Sequence, residues 1–279
     1  MTLREALTLG KDLLNKAKIE EYETDAWLLL EAVCQCTRTD LFLRGDAPIT
    51  REQEKNYKAY LEARSKRIPL QHILGVQYFM GLEFFVNSDV LCPRPDTEIL
   101  VETALDRILP GSKILDMCTG SGCILLSLLH YGKECTGIGV DLSEKALAVA
   151  EKNAKKLAIS CEFVHSDLFE KIEGSYDVIV SNPPYIATRE IEALMPEVRE
   201  HEPMMALDGM EDGLFFYRKI TDASRNYLKP GGWLMYEIGY DQGEAVSEMM
   251  KHAGFCEVSV IKDLAGLDRV VIGKLAQEE

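Results

Sequence analysis

Apolar positions along this chain recur with two different periods, and the change of period divides it. From Thr2 to about Ile19 the residues Leu3, Ala6, Leu7, Leu13, Leu14 and Ala17 fall at helical spacing. Thr2 is placed to cap that helix, with Glu5 completing a capping box. A second helix is predicted from about Glu23 to Cys34 through Trp27-Leu28-Leu29-Leu30, and a charged third from Thr50 to Arg67. Together they predict a small helical bundle over residues 1–68. From Pro69 to Val86, apolar runs broken at Gly75 and Gly81 predict a β-hairpin, the core of a linker spanning 69–92. Pro95, Asp96 and Glu98 then mark the entry to a helix over Ile99–Ile108.

Beyond Lys113 the pattern becomes an alternation of short β-branched runs and amphipathic stretches. Strands are predicted near 113–117, 135–141, 161–165, 176–181, 232–238, 256–261 and 268–273, with helices over 122–131, 143–157, 211–227 and 243–253. Such alternation predicts a mostly parallel sheet wrapped by helices. The loop Lys262–Leu267 is too short for a crossover, so the final strand should run antiparallel. The fold class is therefore α/β, with a catalytic-sized domain over 93–279.

Composition narrows the partners. The chain has 279 residues, 47% hydrophobic and 28% charged, as expected for a folded globular protein. Its net charge of −15 argues against broad contact with a phosphate backbone and suits a basic protein partner. Eight cysteines form no Cys-x-x-Cys pair, which predicts neither a zinc site nor a redox motif. No secretory pattern or membrane-length apolar run is present, so a cytoplasmic protein with reduced thiols is expected.

Two stretches carry chemistry. The apolar run Tyr176-Asp177-Val178-Ile179-Val180 reads as a buried strand and ends in Ser181-Asn182-Pro183-Pro184-Tyr185. Prolines cannot continue a central strand, so the chain must turn at Asn182, at the carboxyl end where open α/β sheets bind ligands. An amide oxygen and a prolyl carbonyl there can accept both hydrogens of a planar –NH2 group. Upstream, Asp116-Met117-Cys118-Thr119-Gly120-Ser121-Gly122 reads as a strand end, a glycine turn and a helix start. The next strand ends in Asp141, about 20 residues on, where an acid can accept ribose hydroxyls. A nicotinamide cofactor fits less well, because Leu125 stands where the third glycine of G-x-G-x-x-G belongs.

These motifs carry a resemblance. Asn-Pro-Pro-Tyr is the signature of S-adenosylmethionine-dependent methyltransferases acting on planar nitrogens, and the loop resembles their D-x-G-x-G-x-G, with Cys118 at the first glycine. The resemblance implies a Rossmann-like seven-stranded sheet with an antiparallel last strand. It also implies that Asp116, Cys118, Thr119, Gly120, Ser121, Gly122, Asp141, Leu142, Asp167, Leu168 and Asn182 hold S-adenosylmethionine, with Asp167 on the adenine amino group. Three further segments, Pro69–Gly75, Pro93-Arg94-Pro95-Asp96-Thr97-Glu98 and His201–Gly209 followed by Asp212-Gly213-Leu214, make the chain similar to the peptide chain release factor glutamine methyltransferases.

That family methylates the glutamine side chain of the Gly-Gly-Gln motif in class 1 release factors. The resemblance implies Asn182, Pro183, Pro184 and Tyr185 as the catalytic corner, with Arg94 and Glu98 lining the glutamine pocket. Tyr185 is expected to pack on the amide plane or the cofactor sulfur. A monomer whose helical bundle recognises the release factor is expected, with no metal and no direct nucleic-acid contact. The rivals are a methyltransferase of a ribosomal-protein glutamine, an adenine-N6 methyltransferase of nucleic acid, and a non-catalytic cofactor-binding module.

Overall fold

The computed structural model describes residues 1–276. Their packing separates into two compact units. The first comprises Met1–Val76 and a later excursion, Met195–His201; the second comprises Gln77–Leu194 and the chain from Glu202 onward.

In the first unit, helices Leu3–Lys16, Tyr22–Cys34 and Arg51–Ser65 match the apolar spacing. Thr2 and Thr50 cap two of them with reciprocal capping boxes to Glu5 and Gln53. Their inward faces bury Leu14, Trp27, Leu29, Leu30 and Leu61 around Tyr57, whose hydroxyl donates to the Ala26 carbonyl at 3.0 Å. A buried ion pair, Arg64 to Asp25 at 2.6 Å, is extended by Glu197 of the short helix Pro196–His201, which accepts from Arg64 and Arg67 at 3.0 Å each.

Among residues 1–86 two elements differ from the sequence expectation, and the helix Pro196–His201 also falls where none was predicted. Arg38–Arg44 is a helix, capped by Thr37 and Asp40. The first run of the predicted hairpin is instead a helix, Leu70–Leu74, closed by Gly75 in a left-handed conformation (φ 69°). The hairpin itself lies one run later. Strands β1 (Val76–Phe79) and β2 (Leu82–Phe85) meet at Met80 and Gly81, both at positive φ, as a two-residue turn of matching twist requires.

The second unit is built on seven strands: β3 (Lys113–Met117), β4 (Thr136–Asp141), β5 (Glu162–His165), β6 (Tyr176–Ser181), β7 (Leu228–Glu237), β8 (Phe255–Lys262) and β9 (Asp268–Leu275). Their order is β5-β4-β3-β6-β7-β9-β8, and β9 runs antiparallel to both β7 and β8, as the short final loop predicts. Alternate residues of each strand enter opposite cores. Ile114, Val178, Val180, Met235 and Ile272 face one side, packed with helices Glu98–Leu105 and Cys123–Tyr131. Leu115, Met117, Ile179, Leu234 and Val271 face the other, with helices Phe215–Ser224 and Gly243–His252. Burial on both faces explains why these strands read as continuous apolar runs. Strand order reverses between β3 and β6, which opens a crevice at their carboxyl ends.

Candidate active site

The loop after β3 is shaped by its backbone. Cys118, Gly120 and Gly122 all have positive φ (62°, 56° and 79°). Cys118 therefore occupies a conformation that favours glycine, at the position where the methyltransferase pattern has one. A Cβ built on Gly120 would meet nothing within 4 Å, so that face of the loop is open to a ligand.

Two carboxylates brace the turn. Asp116 is fully buried; its Oδ2 accepts from the Thr119 hydroxyl at 2.5 Å and the Leu125 N–H at 3.3 Å. Burial pushes its carboxyl up to about 7 against the pull of those bonds. Asp141, at the end of β4, accepts from Gly120 N–H through Oδ2 and Ser143 N–H through Oδ1, each at 2.9 Å. Burial also raises its carboxyl. Each oxygen keeps a further lone pair for a ligand hydroxyl. Asn153, buried in the helix Glu144–Leu157, ties this loop to the hairpin: its Nδ2 donates to Ser121 O at 2.9 Å and Phe85 O at 3.0 Å.

The corner after β6 is held from several sides. Ser181 donates to the Met117 carbonyl at 2.6 Å. Ile186 forms an isolated parallel bridge with Asp208. Gly209 and Gly213 let the returning chain lie on the corner, since a Cβ on either would come within 2.8 Å or 2.4 Å of Tyr185 backbone atoms. This is why the Asp-Gly pairs at 208–209 and 212–213 accompany Asn-Pro-Pro-Tyr. Pro183 and Pro184 are buried, and Asn182 is half-buried with its Nδ2 directed to Thr97 Oγ1 at 3.4 Å.

These parts enclose one cavity of about 490 Å3, within the range of small-molecule sites. Cys118, Ser121, Asp141, Leu142, Asp167 and Leu168 line one part of it. Asn182, Pro184, Arg94 and Thr97 line another, with Met204 and Met205 on the wall after Pro203. Asp116, Thr119, Gly120 and Gly122 shape the loop without forming the wall. Three other sequence-predicted residues lie off the wall. Pro183 is buried beneath the corner. Glu98 accepts from the Met80 N–H at 2.6 Å, tethering the hairpin turn. Tyr185 turns its hydroxyl to Glu237 Oε1 at 3.3 Å and borders a separate hollow of about 350 Å3.

Arg94 pairs with Glu202 at 2.7 Å, and Glu202 also accepts from Cys92 N–H at 3.2 Å. Burial raises the Glu202 carboxyl while the guanidinium pulls it down. The pair joins the segment before the first 3-10 turn to the Met204–Met205 wall.

A family model described as the PrmC N-terminal domain matches residues 5–75, and one described as the methyltransferase small domain matches 94–199. The release factor glutamine methyltransferase of Geobacter sulfurreducens is 42% identical over 275 residues, covering 98% of this chain and 97% of that protein. The chain belongs to the release factor glutamine methyltransferase family. The family member from Caulobacter vibrioides is likewise 42% identical, over 98% of this chain and 96% of its own. A solved methyltransferase from Pyrococcus furiosus, 17% identical, aligns with a TM-score of 0.55 over 80% of this chain and 99% of that one, and supports the fold.

Within this family member, sequence reasoning passed over Thr97, Asn153, Glu202 and Glu237. Thr97 and Glu202 lie inside segments that carry the resemblance, and Glu237 closes the apolar run Trp233-Leu234-Met235-Tyr236, whereas Asn153 carried no usable signal.

Proposed function

We propose that this chain transfers a methyl group from S-adenosylmethionine to the side-chain amide nitrogen of the glutamine in the Gly-Gly-Gln motif of class 1 release factors. One observation carries the reading: Asn182 and Pro184 share a cavity wall with Asp141 and Asp167, in a chain whose relatives bear that activity in their names.

The residues fit the cofactor. The open face at Gly120, the lone pairs of Asp141 and the exposed carboxylate of Asp167 offer a cradle for a nucleoside bearing hydroxyl and amino donors. Ser121, Leu142 and Leu168 supply the rest of that wall, while Asp116 and Thr119 keep the loop in shape. When bound, S-adenosylmethionine supplies an electrophilic methyl group on a sulfonium.

The chain's task is then to present a weak nucleophile. An amide nitrogen is poorly reactive because its lone pair is delocalised into the carbonyl. Asn182 Oδ1 and the Pro183 carbonyl, at the peptide bond that leads into the wall residue Pro184, accept its two N–H hydrogens and fix its direction. Proximity and alignment, rather than a general base, provide most of the acceleration. Tyr185 serves this corner from behind, held on Glu237, rather than covering the amide plane. Arg94 keeps the glutamine side of the cavity in place through Glu202, and Glu98 acts at one remove through the hairpin.

The same reading makes the helical unit the element that recognises the release factor. It describes a cytoplasmic monomer without direct nucleic-acid contact, which the net charge of −15 supports. Among the described residues no helix is long and apolar enough to cross a membrane. The test uses labelled S-adenosylmethionine with a release factor and its Gly-Gly-Gln→Gly-Gly-Ala variant. Label is expected on the first and not the second; equal labelling of both would refute the site. Asn182→Ala should lower turnover by about a hundredfold, as for loss of one preorganised hydrogen-bonding group, with cofactor affinity little changed.

A further inference from the structure

The corner that carries Asn182 has an anchor that the reading above does not use. Between Ser181 and Tyr185 stand two prolines, which fix φ and have no N–H to give, so the corner cannot be tied down by backbone donors at Pro183 or Pro184. It is held at its two ends instead. Ser181 donates to the Met117 carbonyl at 2.6 Å. At the other end the Tyr185 carbonyl accepts from Gln242 Nε2 at 2.9 Å.

Gln242 stands at the N-cap of the helix Gly243–His252, yet its side chain makes no capping bond to that helix. The half-buried amide reaches 57 positions back along the chain. Its Nε2 also approaches the Gly213 carbonyl at 3.4 Å, while Oε1 accepts from the Gly239 N–H at 2.9 Å. Carbonyls only accept and a backbone N–H only donates, so these partners allow one orientation of the amide. Turned over, it would set its oxygen against two carbonyl oxygens and its –NH2 against an N–H. The surroundings leave room for this amide and little else. A Cβ on Gly213, whose φ is 73°, would lie 2.8 Å from Nε2 and 2.4 Å from the Tyr185 oxygen. One side chain thus laces together the corner, the Asp212-Gly213 return and the turn after β7.

We propose that Gln242 is a positioning residue for methyl transfer, whose hold on the Tyr185 carbonyl sets where Asn182 and the Pro183 carbonyl stand against the substrate amide. With Ser181 and Tyr185 both fixed and stiff prolines between them, few backbone torsions remain free to displace these acceptors. This rests on the reading of the corner as the acceptor of the glutamine –NH2. Releasing the Tyr185 end should slow the transfer step and spare the cofactor loop, whose bracing hydrogen bonds do not involve Gln242.

The test measures kcat per S-adenosylhomocysteine-binding site on a Gly-Gly-Gln release factor, for wild type, Asn182→Ala, Gln242→Glu and Gln242→Met. Each is assayed at about pH 5 and about pH 8, which brackets the titration of a partly buried glutamate. Gln242→Glu keeps the side-chain shape. Protonated, its carboxyl can still donate to Tyr185; ionised, it has no hydrogen to give and faces two carbonyl oxygens. Its kcat should lie within about threefold of wild type at the lower pH and fall about tenfold below it at the higher, the equivalent of one lost orienting hydrogen bond. Gln242→Met keeps the length without donor or acceptor, and should be about tenfold down at both. Cofactor-product affinity should be unchanged in every case. A folding defect alone would lower the melting temperature and the number of binding sites, without lowering kcat per site or making the glutamate variant pH-dependent.

Wild-type kcat in either Gln242 variant at the higher pH would overturn the assignment. So would a glutamate variant whose kcat relative to wild type is the same at both pH values, or a loss of kcat matched by a loss of cofactor-product affinity. If Gln242→Glu does not fold, Gln242→Met carries the test: a fall of about tenfold per site supports the assignment and wild-type turnover overturns it. A wild type that labels no release factor refutes the functional reading instead, and an active Asn182→Ala refutes the role of Asn182; both are read separately from the Gln242 variants.

Discussion

Replacing Arg94 by methionine keeps most of the side-chain volume and removes the charge that faces Glu202. The Glu202 side chain is wholly buried, and its partner's is 39% exposed. Stranding one member of a fully buried pair costs about 3–5 kcal/mol; the exposure of Arg94 to solvent screening brings the expectation to about 2 kcal/mol. For a unit of this size that is a fall of about 4–8 °C in melting temperature. The loss should depend on pH with a definite sign. Burial already raises the Glu202 carboxyl above its ordinary 4.5, and Arg94 holds it down. Without Arg94 it rises further. A raised carboxyl contributes stability below the unfolded value and loses that contribution as pH rises through the folded one. Melting curves of both proteins at about pH 5 and about pH 8 should therefore show a small deficit at the lower pH and the full deficit at the higher. An equal deficit at both would mean that lost packing, not a stranded charge, is responsible, and no deficit would mean that the pair contributes nothing.

Asp116→Asn should remove a titration from the stability curve. The wild-type carboxyl, raised from 3.8 to about 7, makes the native protein lose stability as pH climbs through that interval. The gap between wild type and variant in chemical denaturation should narrow over that interval and stay constant above it. Gly139→Ala would place a methyl 2.7 Å from the Phe163 ring and 2.9 Å from Thr119 Oγ1. It should cost about 1–3 kcal/mol by overpacking and weaken S-adenosylmethionine binding in calorimetry, because Thr119 belongs to the cofactor loop.

The sheet was legible because its central strands are buried on both faces, so their apolar runs stand out without any knowledge of partners. Asn182 and the glycine turn were legible because prolines and glycines act through the local backbone. The helix Arg38–Arg44 was not. It is short, and Phe42 and Leu43 are exposed (83% and 70%), so no apolar stripe announces it. The placement of Tyr185 was not legible either. An aromatic beside a reactive amide invites a stacking role, and only the tertiary position of Glu237 turns the hydroxyl inward. Thr97 sat within a run recognised for its helix-start residues, but its contact with Asn182 joins positions 85 residues apart. Local pattern says nothing about such pairs.

The return of Met195–His201 to the helical unit bears on portability. That unit is not a continuous length of chain. A fragment cut at Val76 would carry Arg64 and Arg67 but lack Glu197, leaving Asp25 as the sole carboxylate for Arg64 among the described pairs. Grafting residues 1–76 onto another enzyme would transplant a bundle that has lost the one carboxylate bridging Arg64 and Arg67. A working transplant has to bring residues 195–201 with it, spliced in from more than a hundred positions downstream.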